Sequence, residues 1–110
     1  IMVEDSWSLI ITNVNKDWGR VVIDAAKEAG AKGATVLHGR GSGAENIPHL
    51  FGIPIEPEKD IVLNAVPTNI SDAVMQAIAK SAALQKPGQG ISLRVPLTGA
   101  TGLFQGASKE

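Results

Sequence analysis

The sequence predicts an α+β fold in the order βαββαβ: an antiparallel four-stranded sheet with two helices on one face. Three observations carry this. Four segments have strand-like composition or alternation, and two helical apolar stripes lie between the first and second and between the third and fourth of them. A long run of Gly and Pro separates the middle two strands. With 110 residues, 44% of them hydrophobic, the chain suffices for one core and is short for two.

Trp7 to Val14 is rich in large apolar and β-branched residues and reads as the first strand. Asn15 is placed to cap a following helix with Asp17 in its first turn. Trp18, Val21, Val22, Ala25, Ala26 and Ala29 form that helix's apolar face. Gly30 supplies the left-handed stop. Ala34 to His38 is a short second strand. The stretch from Gly39 to Pro57, interrupted by Gly41, Gly43, Pro48, Gly52 and Pro54, reads as a long loop. Asp60 to Val66 is the third strand. Thr68 or Asn69 caps a second helix with Ile70, Ala73, Val74, Ala77, Ile78 and Ala82 inward. Lys86-Pro87-Gly88-Gln89-Gly90 ends it, and from Ile91 to Leu97 apolar and other residues alternate, so one side of this last strand is expected in a core and the other toward water. Pro96 suits an edge strand, since it cannot donate to a ladder. This split βαβ order is the ferredoxin-like arrangement. Two helices cover one face of such a sheet, so the other is left for water or for further copies of the chain. Residues 1–98 are expected to form the single domain and 99–110 a flexible tail.

The charges, ten basic against eleven acidic, are interspersed, which argues against a nucleic-acid partner. Lack of Cys removes thiolate chemistry and Cys-based metal sites. No apolar run has membrane-spanning length and no signal peptide is evident, so a cytoplasmic protein is expected.

Two glycine loops are the candidate sites. In Gly39-Arg40-Gly41-Ser42-Gly43-Ala44, closely spaced glycines would let backbone N–H groups approach an anion, with Arg40 adding charge. A dinucleotide fingerprint would have to open a helix, but Pro48, Gly52 and Pro54 follow. A P-loop would need a Gly-Lys-Ser/Thr that is absent. Lys86 to Gly90 is the second loop, for which ordinary helix-stop chemistry is the competing reading. His38 and His49 are scattered, with no carboxylate at a helical or strand-paired spacing, so neither a metal nor a catalytic role is assigned. Glu56, Glu58 and Asp60 read as a solvated loop edge. No nucleophile context surrounds Ser42, and the protein is not expected to be an enzyme.

In four places the residues resemble the PII signalling proteins (nitrogen regulatory protein P-II) and their PII-like relatives. Ala29-Gly30-Ala31-Lys32-Gly33-Ala34-Thr35-Val36 is similar to the family's A-G-x-x-G-x-T-V, and Gly39-Arg40-Gly41 to the G-x-G at the base of its T-loop. Asp72 to Ile78 is similar to its second helix, and Pro87-Gly88-Gln89-Gly90 to its phosphate-facing B-loop. The resemblance implies a homotrimer that binds an effector between subunits and regulates a membrane transporter or metabolic enzyme through the T-loop, here roughly Gly41 to Pro57. By position, Thr35 would lie by the base of that loop, Gly39 and Gly41 at its root, and Lys86, Gly88, Gln89 and Gly90 at the phosphate, with Arg40 added on charge grounds. Ile91 stands where the family has a basic residue, and Thr98 to Leu103 lacks its paired arginines. AMP, ADP, a cyclic nucleotide or bicarbonate is therefore expected in preference to ATP, with no tightly bound cofactor. The chain has no Tyr, so the T-loop tyrosine modified in some members has no counterpart. Leu50, Phe51 and Ile53, an apolar cluster within the loop, are the expected docking surface for a partner. The alternatives are a metal-binding trimer similar to the CutA proteins, which share the fold, and a non-catalytic interaction module.

Overall fold

Antiparallel pairing places the strands in the order β2-β5-β1-β6, where β1 is Trp7–Asn15, β2 Thr35–Arg40, β5 Glu58–Pro67 and β6 Gly90–Pro96. Helix α1 spans Gly19–Glu28 and α2 Thr68–Ser81. Between β2 and β5, β3 (His49–Leu50) and β4 (Ile53–Pro54) form a separate hairpin. The computed structural model describes residues 6–41, 49–54 and 57–102, with the backbone alone for 49, 50, 53 and 54. Its βαββαβ sheet and paired helices match the predicted ferredoxin-like class.

The two-residue period of the central strands divides the sheet into two faces. Ile10, Val14, Val62 and Val66 point to the helices and pack with Val22, Ala25, Ala26, Val74, Ile78 and Ala82 to form the core. Opposite, Leu37, Ile61, Leu63, Leu9, Ile11, Ile91, Leu93 and Val95 fall in register on a face that none of the described elements covers. The last strand therefore departs from expectation. Its apolar residues belong to the open face, where Ile91, Leu93 and Val95 are 51%, 48% and 42% exposed. Its helix-facing side is polar: Ser92 bonds Thr12 at 3.1 Å, and Arg94 Nη1 donates to Ser71 Oγ at 2.9 Å and Asp72 Oδ1 at 2.6 Å. Pro96 sits on an edge strand, as its missing donor requires.

Other elements shift by a residue or two. β2 runs from Thr35 through Arg40, and β5 begins at Glu58, because Gly39 pairs with Lys59 and Arg40 with Glu58; Gly41 N–H still reaches Pro57 O at 3.1 Å. Gly39 and Arg40 are thus ladder residues, since a strand partner can hold a glycine that local propensity would assign to a loop. Helix α1 ends in a Schellman motif at Gly30 (φ +116°), with Gly30 N–H to Lys27 O and Ala31 N–H to Ala26 O. Its expected Asn15 cap is replaced by a carboxylate from another strand, described below, and Trp18, expected inside, is exposed. On α2 the cap position falls on Pro67 rather than on Thr68 or Asn69, so no side chain caps the helix there, and Thr68 Oγ1 is engaged with Ser8 at 2.8 Å. Buried Ser71 lies on the inner face while Ala73 turns outward. Among the described residues no helix is long and apolar enough to cross a membrane.

Candidate functional site

At the end of the sheet where β1 and β2 finish and β5 starts, three consecutive residues of β5 grip the turn between β1 and α1. Lys16 Nζ lies 3.1 Å from Glu58 Oε1, Lys59 Nζ donates to Asn15 Oδ1 at 2.7 Å, and Asp60 Oδ2 accepts the N–H groups of Asp17 and Gly19, each at 3.0 Å. Asp60 is 5% exposed and does what a local N-cap would do, quenching orphan donors at the start of α1 from across the sheet. Gly19 makes this approach possible, since a Cβ there would stand 2.8 Å from Asp60 Oδ2. Asp60 Oδ1 also meets His38 Nδ1 at 3.1 Å, in register across β2 and β5. Two expectations are corrected here. His38 does have a strand-paired carboxylate, and Asp60 belongs to the buried face of a strand rather than to a solvated edge. Neither was visible without the register, because which residue of β5 stands opposite His38 is decided by how the two strands pair.

The same end carries the root of the excursion from β2. An open cleft of about 400 Å³ is lined by Lys16, His38, Gly39, Arg40, Glu58, Lys59 and Asp60. Arg40 Nη2 lies 3.7 Å from Glu58 Oε2, so Glu58 is shared between Arg40 and Lys16. The hydrogen bond from Lys16, and then its charge, hold the Glu58 carboxyl below its ordinary value. Glu58 holds the Lys16 ammonium above its own by the same two effects.

The Lys86–Gly90 loop reaches this end through one side chain: Asn15 Nδ2 donates to Gly88 O at 3.0 Å while its Oδ1 takes the bond from Lys59. The sequence offered no signal for this link, since Asn15 read as a helix cap. Within the loop the candidates separate. Gly88 (φ +81°) needs its glycine for conformation. Gly90 (φ +149°) needs it for packing, because a Cβ would come 2.4 Å from Asn13 O. Gln89 turns back to donate Nε2 to Ala82 O at 3.0 Å, closing the end of α2. Lys86 is exposed.

Thr35 is not with the others. It stands at the opposite end of β2 from Arg40, about 17 Å away at the rise of an antiparallel strand. There it helps to line a second cleft of about 390 Å³, with Trp7, Lys32, Gly33, Ala34, Leu63, Ala65, Pro67 and Gly102. By register Thr35, Leu63, Ala65 and Trp7 share the open face, so this cleft is a corner of it. Of the expected docking cluster, Phe51 is 93% exposed at the tip of the β3–β4 hairpin. Phe51 (φ +53°) and Gly52 (φ +79°) both have the positive φ that a type I′ turn demands. The side chains of Leu50 and Ile53 lie outside the described residues. Among the described residues no three His, Asp or Glu converge as a metal site would need.

No family model and no curated protein matches the chain at sequence level. Its fold does match solved structures. The crystal structure of Arabidopsis thaliana PII bound to citrate superposes with a TM-score of 0.67 at 20% identity, over 86% of this chain and 79% of that one. A Bacillus cereus protein related to NIF3 superposes at 0.63 and 17% identity, over 84% of this chain and 26% of the much longer match. The chain thus has the PII-like form of the ferredoxin-like fold.

Proposed function

We propose that this chain is a PII-like signal-transduction protein without catalytic turnover, binding a small anionic effector between the subunits of a homotrimer. One observation carries the reading. The two half-sites, Gly39–Gly41 with the Gly88 loop at one end of the sheet and the Thr35 cleft at the other, cannot meet within one copy. Both border the same uncovered apolar face. A head-to-tail ring of copies covers that face and brings one end of each sheet to the opposite end of its neighbour. The effector is an adenine nucleotide, with AMP, ADP or a cyclic nucleotide favoured over ATP because Ile91 supplies no cation beside Gly90; bicarbonate is the smaller candidate. Occupancy is passed to a partner transporter or enzyme through the segment between β2 and β5, with Phe51 at the tip of its hairpin. Placement in the cytoplasm accords with such a role.

Light scattering together with calorimetric titration of AMP, ADP, ATP, cyclic AMP, bicarbonate and citrate tests this. Citrate is included because the similar Arabidopsis thaliana PII structure is bound to it. A trimer with saturable binding of at least one of these ligands is expected. A monomer at micromolar concentration, or a trimer that binds none of them, would overturn the proposal.

A further inference from the structure

His38 and Asp60, which the effector reading does not use, form a unit of their own. Asp60 Oδ2 accepts the N–H groups of Asp17 and Gly19, each at 3.0 Å, and its Oδ1 faces His38 Nδ1 at 3.1 Å. A carboxylate so placed only accepts, so the ring proton sits on Nδ1 and the lone pair of the neutral ring is left on Nε2. The ring is held at one edge and open at the other. Its side chain is 79% exposed, against 8% for that of Asp60, and Nε2 has no hydrogen-bond partner among the described residues. Lys16, Arg40 and Lys59 line the same cleft, and the carboxylate that Lys16 and Arg40 share is the half-exposed Glu58.

We propose that His38 is a modification site, phosphorylated on Nε2 by a donor of the phosphoramidate class. A nucleophilic nitrogen of fixed tautomer, with a buried counter-charge behind it and cations beside it, is what such a transfer needs. The Nε2 lone pair forms the bond to phosphorus as the P–N bond of the donor breaks, and the donor nitrogen, already protonated, leaves neutral with that electron pair. The ring keeps its Nδ1 proton and becomes a phosphoryl-imidazolium, whose positive charge Asp60 balances. The phosphoryl group then competes with Glu58 for Lys16 and Arg40, the cations that tie the β1–α1 turn and the end of β2 to the start of β5. His38 needs neither an effector nor a second copy for this chemistry.

Incubation with potassium phosphoramidate tests it in wild type, His38→Gln and Asp60→Asn, read by peptide mass mapping under alkaline conditions that preserve the P–N bond, with thermal melts confirming that each is folded. Wild type should carry the phosphoryl group on His38 Nε2, identified by nuclear magnetic resonance, and acquire it at least about ten-fold faster than at His49, the chain's other histidine. His38→Gln should lose this label and leave that of His49 unchanged. In Asp60→Asn the Asp17 and Gly19 donors still call for an oxygen, which turns the amide nitrogen to His38 and moves the ring proton to Nε2. Labelling of Nε2 should then fall at least about ten-fold, the scale of one charge-assisted contact. Equal rates at His38 and His49, labelling of His38 on Nδ1, or an Asp60→Asn rate equal to that of wild type would overturn the proposal. Should Asp60→Asn not fold, the isomer formed and the ratio of His38 to His49 in wild type decide by themselves.

Discussion

The two faces of the sheet are built from the same alternating strands and are finished differently. On the helix-covered face the polar groups find partners: Ser8 with Thr68, Thr12 with Ser92, Ser71 with Arg94, and Asp60 with the start of α1. Asn64 donates to Gly33 O, although its Oδ1 has no partner among the described residues. On the other face lies a continuous set of Leu, Ile and Val with little polar structure. The described residues complete one core and leave a second apolar surface uncovered among themselves. Mutations on the first face should therefore be felt by the fold, and mutations on the second by association.

The largest effect on the fold is expected at the join of the two faces, where Gly90→Val would drive its side chain into the Asn13 carbonyl. A loss of about 3 kcal/mol or more is expected in urea unfolding, since backbone cannot yield as a side-chain tip does. A near-neutral result would mean that β6 does not pack on β1 as described. This also makes Gly90 unsuitable as a probe of effector binding and leaves Gly88 as the cleaner one. Next comes Asp60→Ala on the covered face, which strands the Asp17 and Gly19 donors and should cost about 2 kcal/mol. Asp60→Asn keeps an acceptor and should cost less; equal costs would show that charge rather than capping is what matters.

Leu93→Ser on the open face should change the unfolding of the isolated chain by no more than about 0.5 kcal/mol, as an exposed edge position allows, while shifting light scattering toward monomer. Destabilisation without a change of assembly would erase the distinction between the faces. The smallest effect belongs to the exposed Lys16–Glu58 pair. Because the Glu58 carboxyl is held below its ordinary 4.5, its contribution is present above that pH and lost as pH falls through the lowered value. Lys16, held above 10.5, contributes at lower pH and loses its part as pH rises through the raised value. The melting temperature of Glu58→Gln should therefore match wild type at the acid end and fall slightly short of it at neutral pH, with the gap closing in high salt. A gap that persists in 1 M salt would argue that the pair is more than a surface contact.

Local pattern was enough for the fold class. Strand composition, two helical stripes and the Gly30 stop depend on neighbours within a turn or two, and they placed six of the eight elements to within a few residues. The short β3–β4 hairpin escaped, because each of its strands is two residues long and Pro54 speaks against a strand. The site was half legible. Glycines at 39, 41, 88 and 90 marked the right loops, since Gly is conspicuous in sequence, but not why each is glycine.

What the sequence determined by itself is whatever periodicity and backbone sterics decide locally: the order of strands and helices, the stop of α1 at Gly30, and an edge position for the strand containing Pro96. Only the tertiary structure decided what depends on register. Pairing β2 with β5 put Asp60 beside His38, and pairing β1 with β5 and β6 put Asp60 under the first turn of α1 and turned Asn15 from a presumed cap into the link between Lys59 and Gly88. The physical reason is that a hydrogen bond between residues some twenty to seventy positions apart leaves no trace in local pattern. A one-residue change of register would exchange the faces and undo every one of these contacts.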